Sequence, residues 1–303
     1  MRLVVLRVNR IMMIIFCLLA VGTFRSNAQS DNFRSERTKM AVFNVGVNGL
    51  FGGIGSLINK KDADKNFRTF INGFYKGAIG GFMSHVGLSM SHLIQTQENI
   101  AYAWPARLVN AMGSSIIQNA AENKKMFERL HFNLYVARLE YFPYQKEFKA
   151  RFFTSSLYGI ISVGSGNRFD LGKSLKSGIL YFESSDGFQL NGSSGFSGLA
   201  QVSAIGMSSQ LSGKDFYDIY AHEVAHIQQF DRKVAGNAFV AKLDQKWKEG
   251  SKSYNTLAKY IYLDINGPAF YIAYRIANGN GYCNNFFEKE AVNYANKRVG
   301  PCN

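Results

Sequence analysis

His222-Glu223-Val224-Ala225-His226 sets two imidazoles four residues apart, with a carboxylate directly after the first. Residues four apart share one face of a helix, so both rings can aim a nitrogen at one metal ion. Glu223 then lies beside the ion rather than on it. From there it can take a proton from a water whose acidity zinc has raised, and later pass that proton to a leaving amine. Composition does not account for the pattern: five histidines in 303 residues give a chance expectation of roughly 0.003.

A catalytic zinc takes three protein ligands and keeps one position open. The residues after His226 read IQQFDRKVAGNAF, and no histidine occurs later in the chain. The third ligand must therefore be a carboxylate or come from upstream. The segment FFEKEAVNYANKR offers Glu288 and Glu290 on a predicted helix. Two residues apart on a helix means about 200° apart, so both cannot face one ion. Glu288 shares its side with Ala291, Val292 and Ala295, whereas Glu290 lies with Asn293, Tyr294 and Lys297. The smaller, more apolar side suits packing against another helix and favours Glu288. Glu290, Asp231, Asp264 and an upstream histidine stay open as third ligands.

HEVAHIQQ, followed at a distance by EKEAVNYA, resembles the gluzincin group of zinc metallopeptidases, in which a glutamate on a second helix completes an HExxH site. The resemblance covers residues 222–229 and 288–295. It implies His222, His226 and Glu288 as ligands of Zn2+, Glu223 as general base, and a protein or peptide substrate. The pattern departs at Val292, where many relatives carry an acidic or amide residue that supports a ligand histidine.

The elements that must position these residues follow from periodicity. Ser212, three residues before Asp215, gives a start like a capping box, and Phe216, Ile219, Tyr220, Glu223, His226, Ile227 and Phe230 then recur at helical spacing. Helical pieces are expected at about 215–230, 237–249, 253–263 and 285–298. HFNLYVARLEYF, KARFFTSSLYGIISV and SGILYFESS are rich in aromatic and β-branched residues and predict an antiparallel sheet over about 131–206. YIYLDINGPAFYIAYRI reads two ways, because Asn266-Gly267 suits a hairpin and Pro268 suits the start of a helix. The expected class is α+β: a Gly-rich helical region over 29–120, then a zincin-like domain over 121–303 with the sheet first and helices from about 214.

In the Gly-rich region, Gly49 to Gly53 and Gly77 to Gly81 are GxxxG spacings that would bring two helix backbones close. A soluble helical hairpin is the expectation, with membrane-surface association as the alternative. Residues 1–28 read as a signal peptide: Arg2, Arg7 and Arg10 precede the apolar run Ile11 to Phe24, and Ser26-Asn27-Ala28 suits cleavage. The reading is an exported protein, periplasmic or secreted. Cys283 and Cys302 would then meet an oxidising compartment, where a disulfide is expected to tie down the helix bearing Glu288.

The net charge of +14 over the whole chain favours anionic partners such as an envelope or membrane surface. No nucleic-acid motif accompanies it, and no specific nucleic acid is expected. The glycine-rich GSGNRF and NGSSGFSG match neither a P-loop nor a dinucleotide fingerprint. His85, His92 and His131 read as structural, and Tyr271, Tyr274 and Tyr282 as packing residues of which one could stabilise an oxyanion. The basic, amphipathic run AKLDQKWKEGSKSYNTLAKY reads as a solvated face. The competing class is a non-enzymatic, envelope-associated binding or structural protein.

Overall fold

The computed structural model describes residues 31–61, 63–190, 193–232, 236–281 and 284–295. The signal-peptide segment, Tyr282 and both cysteines of the expected disulfide lie outside the described residues.

Helix α1 (Asp31–Ile58) folds back on α2 (Asn66–Ser89), the short α3 (His92–Thr96) follows, and α4 (Ala103–Ala121) closes a helical layer. The glycines decide how near α1 and α2 come. A Cβ at Gly77 would fall on the carbonyl oxygen of Asn48 and 3.1 Å from the Cα of Gly52, and one at Gly81 would lie 2.5 Å from the Asn44 carbonyl oxygen. On α2 the backbone contact thus follows the GxxxG pair. On α1 it falls at Gly52, while Gly49 and Gly53 receive the rings of Phe74 and Phe70.

The strands form two small mixed sheets and a hairpin, which corrects the expected single antiparallel sheet. β1 (Leu130–Leu134), β2 (Ala137–Phe142) and β3 (Glu147–Phe153) are antiparallel, but β10 (Ile261–Tyr262) joins β3 in parallel. The second sheet runs in the order β4 (Arg168–Phe169), β5 (Leu180–Ser184), β9 (Ala204–Ser208), β8 (Gly198–Gln201), with β5 and β9 parallel. β6 (Phe188–Leu190) and β7 (Ser193–Phe196) pair separately. Two helices interrupt the predicted strand region, α5 (Ser155–Gly164) and α6 (Leu171–Ser177). In α5 the buried positions Ser156, Gly159 and Val163 recur every three to four residues. Its aromatic and β-branched residues suggested a strand, but the small residues on one face let a helix lie against the second sheet.

The C-terminal part holds α7 (Gly213–Arg232), α8 (Gly236–Phe239), α9 (Ala241–Gly250), α10 (Lys252–Tyr260), α11 (Asn266–Ala277) and α12 (Phe286–Ala295). At the ambiguous stretch the helix wins over the hairpin. The Asp264 carboxylate accepts from the N–H groups of Asn266 (3.2 Å) and Gly267 (2.8 Å), satisfying donors that a helix start leaves bare.

Helix α7 is the centre of the molecule, with every residue from Tyr220 to Phe230 buried. Tyr220, Ala221, Val224 and Ile227 pack with Tyr181, Ile205 and Met207 of the second sheet and with Ile94 of α3. Each large apolar side chain so buried contributes about 1.5–3 kcal/mol. Away from α7, the carboxylate of Glu140 is buried among three arginines, with Arg138 Nε at 3.0 Å. Burial alone would raise this carboxyl, but the charges of Arg138, Arg129 and Arg151 overcome it and hold it down at about 2.

Two outcomes follow. Gly77→Ala should destabilise the fold by about 1–3 kcal/mol through overpacking, despite alanine's better helix propensity. Gly46→Ala, where a Cβ meets nothing within 4 Å, should be neutral or stabilising by up to about 1 kcal/mol; denaturant melts of both variants check the contrast. Because the folded-state pKa of Glu140 lies below its unfolded value, its contribution is complete above about pH 4.5 and fades as pH falls towards 2. Stability measured over that window should drop less steeply in Glu140→Gln than in the parent.

Candidate metal centre

Helix α7 carries the HExxH residues, and α12 docks on it. The Nε2 atoms of His222 and His226 lie 3.0 Å apart. Glu288 reaches both, with Oε2 at 3.2 Å from His222 Nε2 and Oε1 at 3.3 Å from His226 Nε2. Three such ligand atoms, one per residue, fall within 4.8 Å of one another, and all three residues are buried. The group could hold a metal ion.

The donor set fits. A tetrahedral ion with ligand bonds of about 2.0–2.1 Å separates its ligand atoms by about 3.3 Å, close to the spacing of the two Nε2 atoms and to the distance from each of them to a different oxygen of Glu288. The site is also short of positive charge unless something supplies it. Burial opposes ionisation of Glu288, yet the neighbouring His226 and His222 hold its carboxyl well below the usual range. Burial likewise disfavours a charged His226, but Glu288 and Glu223 raise it to about 9.

The support for His226 comes from one turn further along its own helix. The His226 Nδ1–H donates to Gln229 Oε1 at 3.0 Å, which leaves Nε2 as the nitrogen facing Glu288. The Gln229 amide in turn donates to the Phe287 carbonyl (3.0 Å) and to Glu290 Oε2 (2.8 Å). Glu290 thus stays out of the group that faces the two histidines. Its carboxylate pairs with Arg232 Nη2 at 3.1 Å and accepts from Asn44 Nδ2 at 2.9 Å, with both members of the ion pair fully buried. The side chain that bonds the His226 ring is thus Gln229, on the same helix.

Glu223 sits on the other side of the histidines, against the second sheet. Burial, and then the charge of Glu288, pushes its carboxyl upward, while His222, His226 and a hydrogen bond from the Ala200 N–H pull the other way. A Cβ at Gly198 would come within 2.8 Å of Glu223 Oε1 and 2.7 Å of an Ile219 methyl, so strand β8 needs glycine there to pass so close. In the antiparallel ladder Ser208 N–H donates to the Ser197 carbonyl. By alternation, the N–H and C=O of Gly198 and Ala200 point away from β9.

Of the two expected tyrosines that are described, Tyr274 on α11 reaches the site, donating to Glu288 Oε1 at 2.5 Å. Burial, then Glu288, raises its hydroxyl. Tyr271 packs on Tyr158 instead, with ring centroids 5.7 Å apart. Asp231, Asp264 and the upstream histidines are engaged elsewhere. Asp231 accepts from Asn133 (2.8 Å), and Asp264 from Ser155 (2.7 Å). His131 lies between Ser114 and Ser115, His92 bonds the Ser89 carbonyl, and His85 Nδ1 meets the Tyr294 hydroxyl at 2.7 Å.

Sequence reasoning missed Gln229, Arg232 and Asn44. The first two had a signal, because they follow His226 at three-residue steps on the same helix. Asn44 had none, lying 246 residues from the carboxylate it contacts. Comparison of the chain with protein-family models, curated proteins and solved structures gives no match.

Gln229→Met, of similar volume, should weaken metal binding about 10–100-fold by releasing the His226 ring. A zinc titration against a competing chelator reads this. Arg232→Met should instead cost about 3–5 kcal/mol of stability, since it removes the fully buried guanidinium that pairs with the buried Glu290 carboxylate; a denaturant melt measures it.

Proposed function

We propose that the protein is an exported, zinc-dependent hydrolase acting on peptide bonds, a metallopeptidase of gluzincin type. The observation that carries this reading is the convergence of His222, His226 and Glu288 with Glu223 beside them and the edge of β8 alongside. Two nitrogens and one carboxylate oxygen are a donor set that suits zinc. When bound, zinc supplies Lewis acidity, lowering the pKa of a water to about 7 and polarising a carbonyl.

The chain's own residues divide the remaining work. Glu223, whose buried carboxyl is already biased toward holding a proton, takes one from the attacking water and returns it to the departing amine. Tyr274, freed from Glu288, donates its hydroxyl hydrogen to the oxygen that gains charge as the carbonyl is attacked. β8 ends its sheet, so an extended peptide adds to it as a further strand, using the outward groups of Gly198 and Ala200. The Glu223 carboxylate holds the Ala200 N–H in the free protein, and substrate must displace it there.

A second reading, a non-catalytic envelope-associated protein, is favoured by the outer face of the α1–α2 hairpin. Val42, Leu50, Ile54, Phe67, Ile71 and Tyr75 are exposed there, and Arg37–Ile58 is long and apolar enough to cross a membrane.

Metal analysis and a fluorogenic peptide library separate the two readings. The hydrolase reading expects one zinc per chain, cleavage abolished reversibly by phenanthroline, and loss of metal in His222→Ala and His226→Ala. Glu223→Gln should retain zinc and lose hydrolysis, because an amide cannot accept the proton. Protein that takes up no zinc on titration would leave the non-catalytic reading standing.

A further inference from the structure

A cleft of about 540 Å³ is formed by α9, α10, the α1–α2 connection and the C-terminal end of α4. It shares no residue with the histidine and glutamate group on α7 and α12. Its lining carries seven cationic side chains against two carboxylates. Both carboxylates are already engaged, Glu122 by Arg129 (2.6 Å) and Lys124 (2.5 Å), and Asp244 by Lys248.

The inner wall holds an excess of positive charge. Arg129 and Arg151 have only 11% and 12% of their side chains exposed. With Arg138 behind them they share Glu140, so these three guanidiniums face two carboxylates, Glu122 and Glu140. Among the described residues the buried Nε atoms of Arg129 and Arg151 have no hydrogen-bond partner, Arg129 Nε lying 3.6 Å from Glu140 Oε1. Nearby His131, buried and next to the same arginines, is held neutral first by burial and then by their charge. At the outer edge, Lys60 and Lys61 have no ion-pair partner among the described residues.

Part of the remaining lining is apolar for no reason that the core supplies. α9 and α10 bury no residue, yet Leu243, Trp247 and Leu257 line the cleft while 44%, 53% and 47% exposed. The amphipathic run that reads as a solvated face thus turns its apolar side toward a charged recess.

We propose that this cleft is a binding site for a small organic anion, with a phosphate or carboxylate head and a flat or apolar body. The head meets Arg129, Arg151 and the lysines of the outer edge in charge-assisted hydrogen bonds. The body lies against Leu243, Trp247 and Leu257. The volume is that of a small-molecule site.

Trp104 and Trp247 are the two tryptophans of the chain, so Trp104→Phe leaves Trp247 as the reporter inside the cleft. That variant is titrated with phenyl phosphate, benzoate and the neutral phenol, following fluorescence and, with the same probes, calorimetric heat. The site predicts saturable binding of at least one of the anions and at least tenfold weaker binding of phenol. Phenyl phosphate alone would identify a phosphate head, benzoate alone a carboxylate, and both a shared anion subsite. Lys60→Glu/Lys61→Glu should weaken the anion at least tenfold with melting temperature and zinc content unchanged. No saturable binding by either readout, phenol binding as tightly as the anions, or unchanged affinity in the charge-reversed variant would overturn the proposal.

Discussion

Helix α12 buries two carboxylates two residues apart, and neither can be ionised in the interior without a positive or donating partner. Glu290 is met by Arg232, Gln229 and Asn44, and Glu288 by His222, His226 and the Tyr274 hydroxyl. Their side chains leave the helix in different directions, so the two demands act as separate anchors. Rotating or sliding α12 on α7 would strand at least one of them. The position of the third candidate ligand is therefore set by an ion pair that takes no part in holding a metal.

That second anchor draws in a region with no chemistry of its own. Asn44 lies on α1 and bridges Glu290 and the Tyr294 hydroxyl. It is placed by a helix pair whose backbones touch at Gly52 and Gly77, a closeness that any Cβ would prevent. The glycines of the first hundred residues thus reach the centre indirectly. They let α1 approach α2, and α1 then presents an amide to the carboxylate behind His226's support.

The opposite side of α7 answers a different constraint. Glu223 is buried against a strand, where its carboxyl is pushed toward the protonated form while one backbone N–H still bonds it. A raised carboxyl thus lies beside the edge strand of the second sheet. Glycine at 198 makes that approach sterically open. The bond from Tyr274 to Glu288 ties α11 to α12.

The residues around the histidines were legible in the sequence because helical geometry is local. A four-residue step fixes His222 and His226 on one face, a one-residue step moves Glu223 aside, and a two-residue step separates Glu288 from Glu290 without reference to the rest of the chain. The α+β composition was legible for the same reason, although α5 and α6 were hidden inside a stretch rich in strand-forming residues. Parallel pairing of β5 with β9 and of β3 with β10, the use of Glu290 as an anchor, and the contact of Asn44 with a carboxylate 246 residues away were decided by tertiary structure alone. Those features depend on which buried charge finds which partner, and burial is a property of the packed molecule that no local spacing encodes.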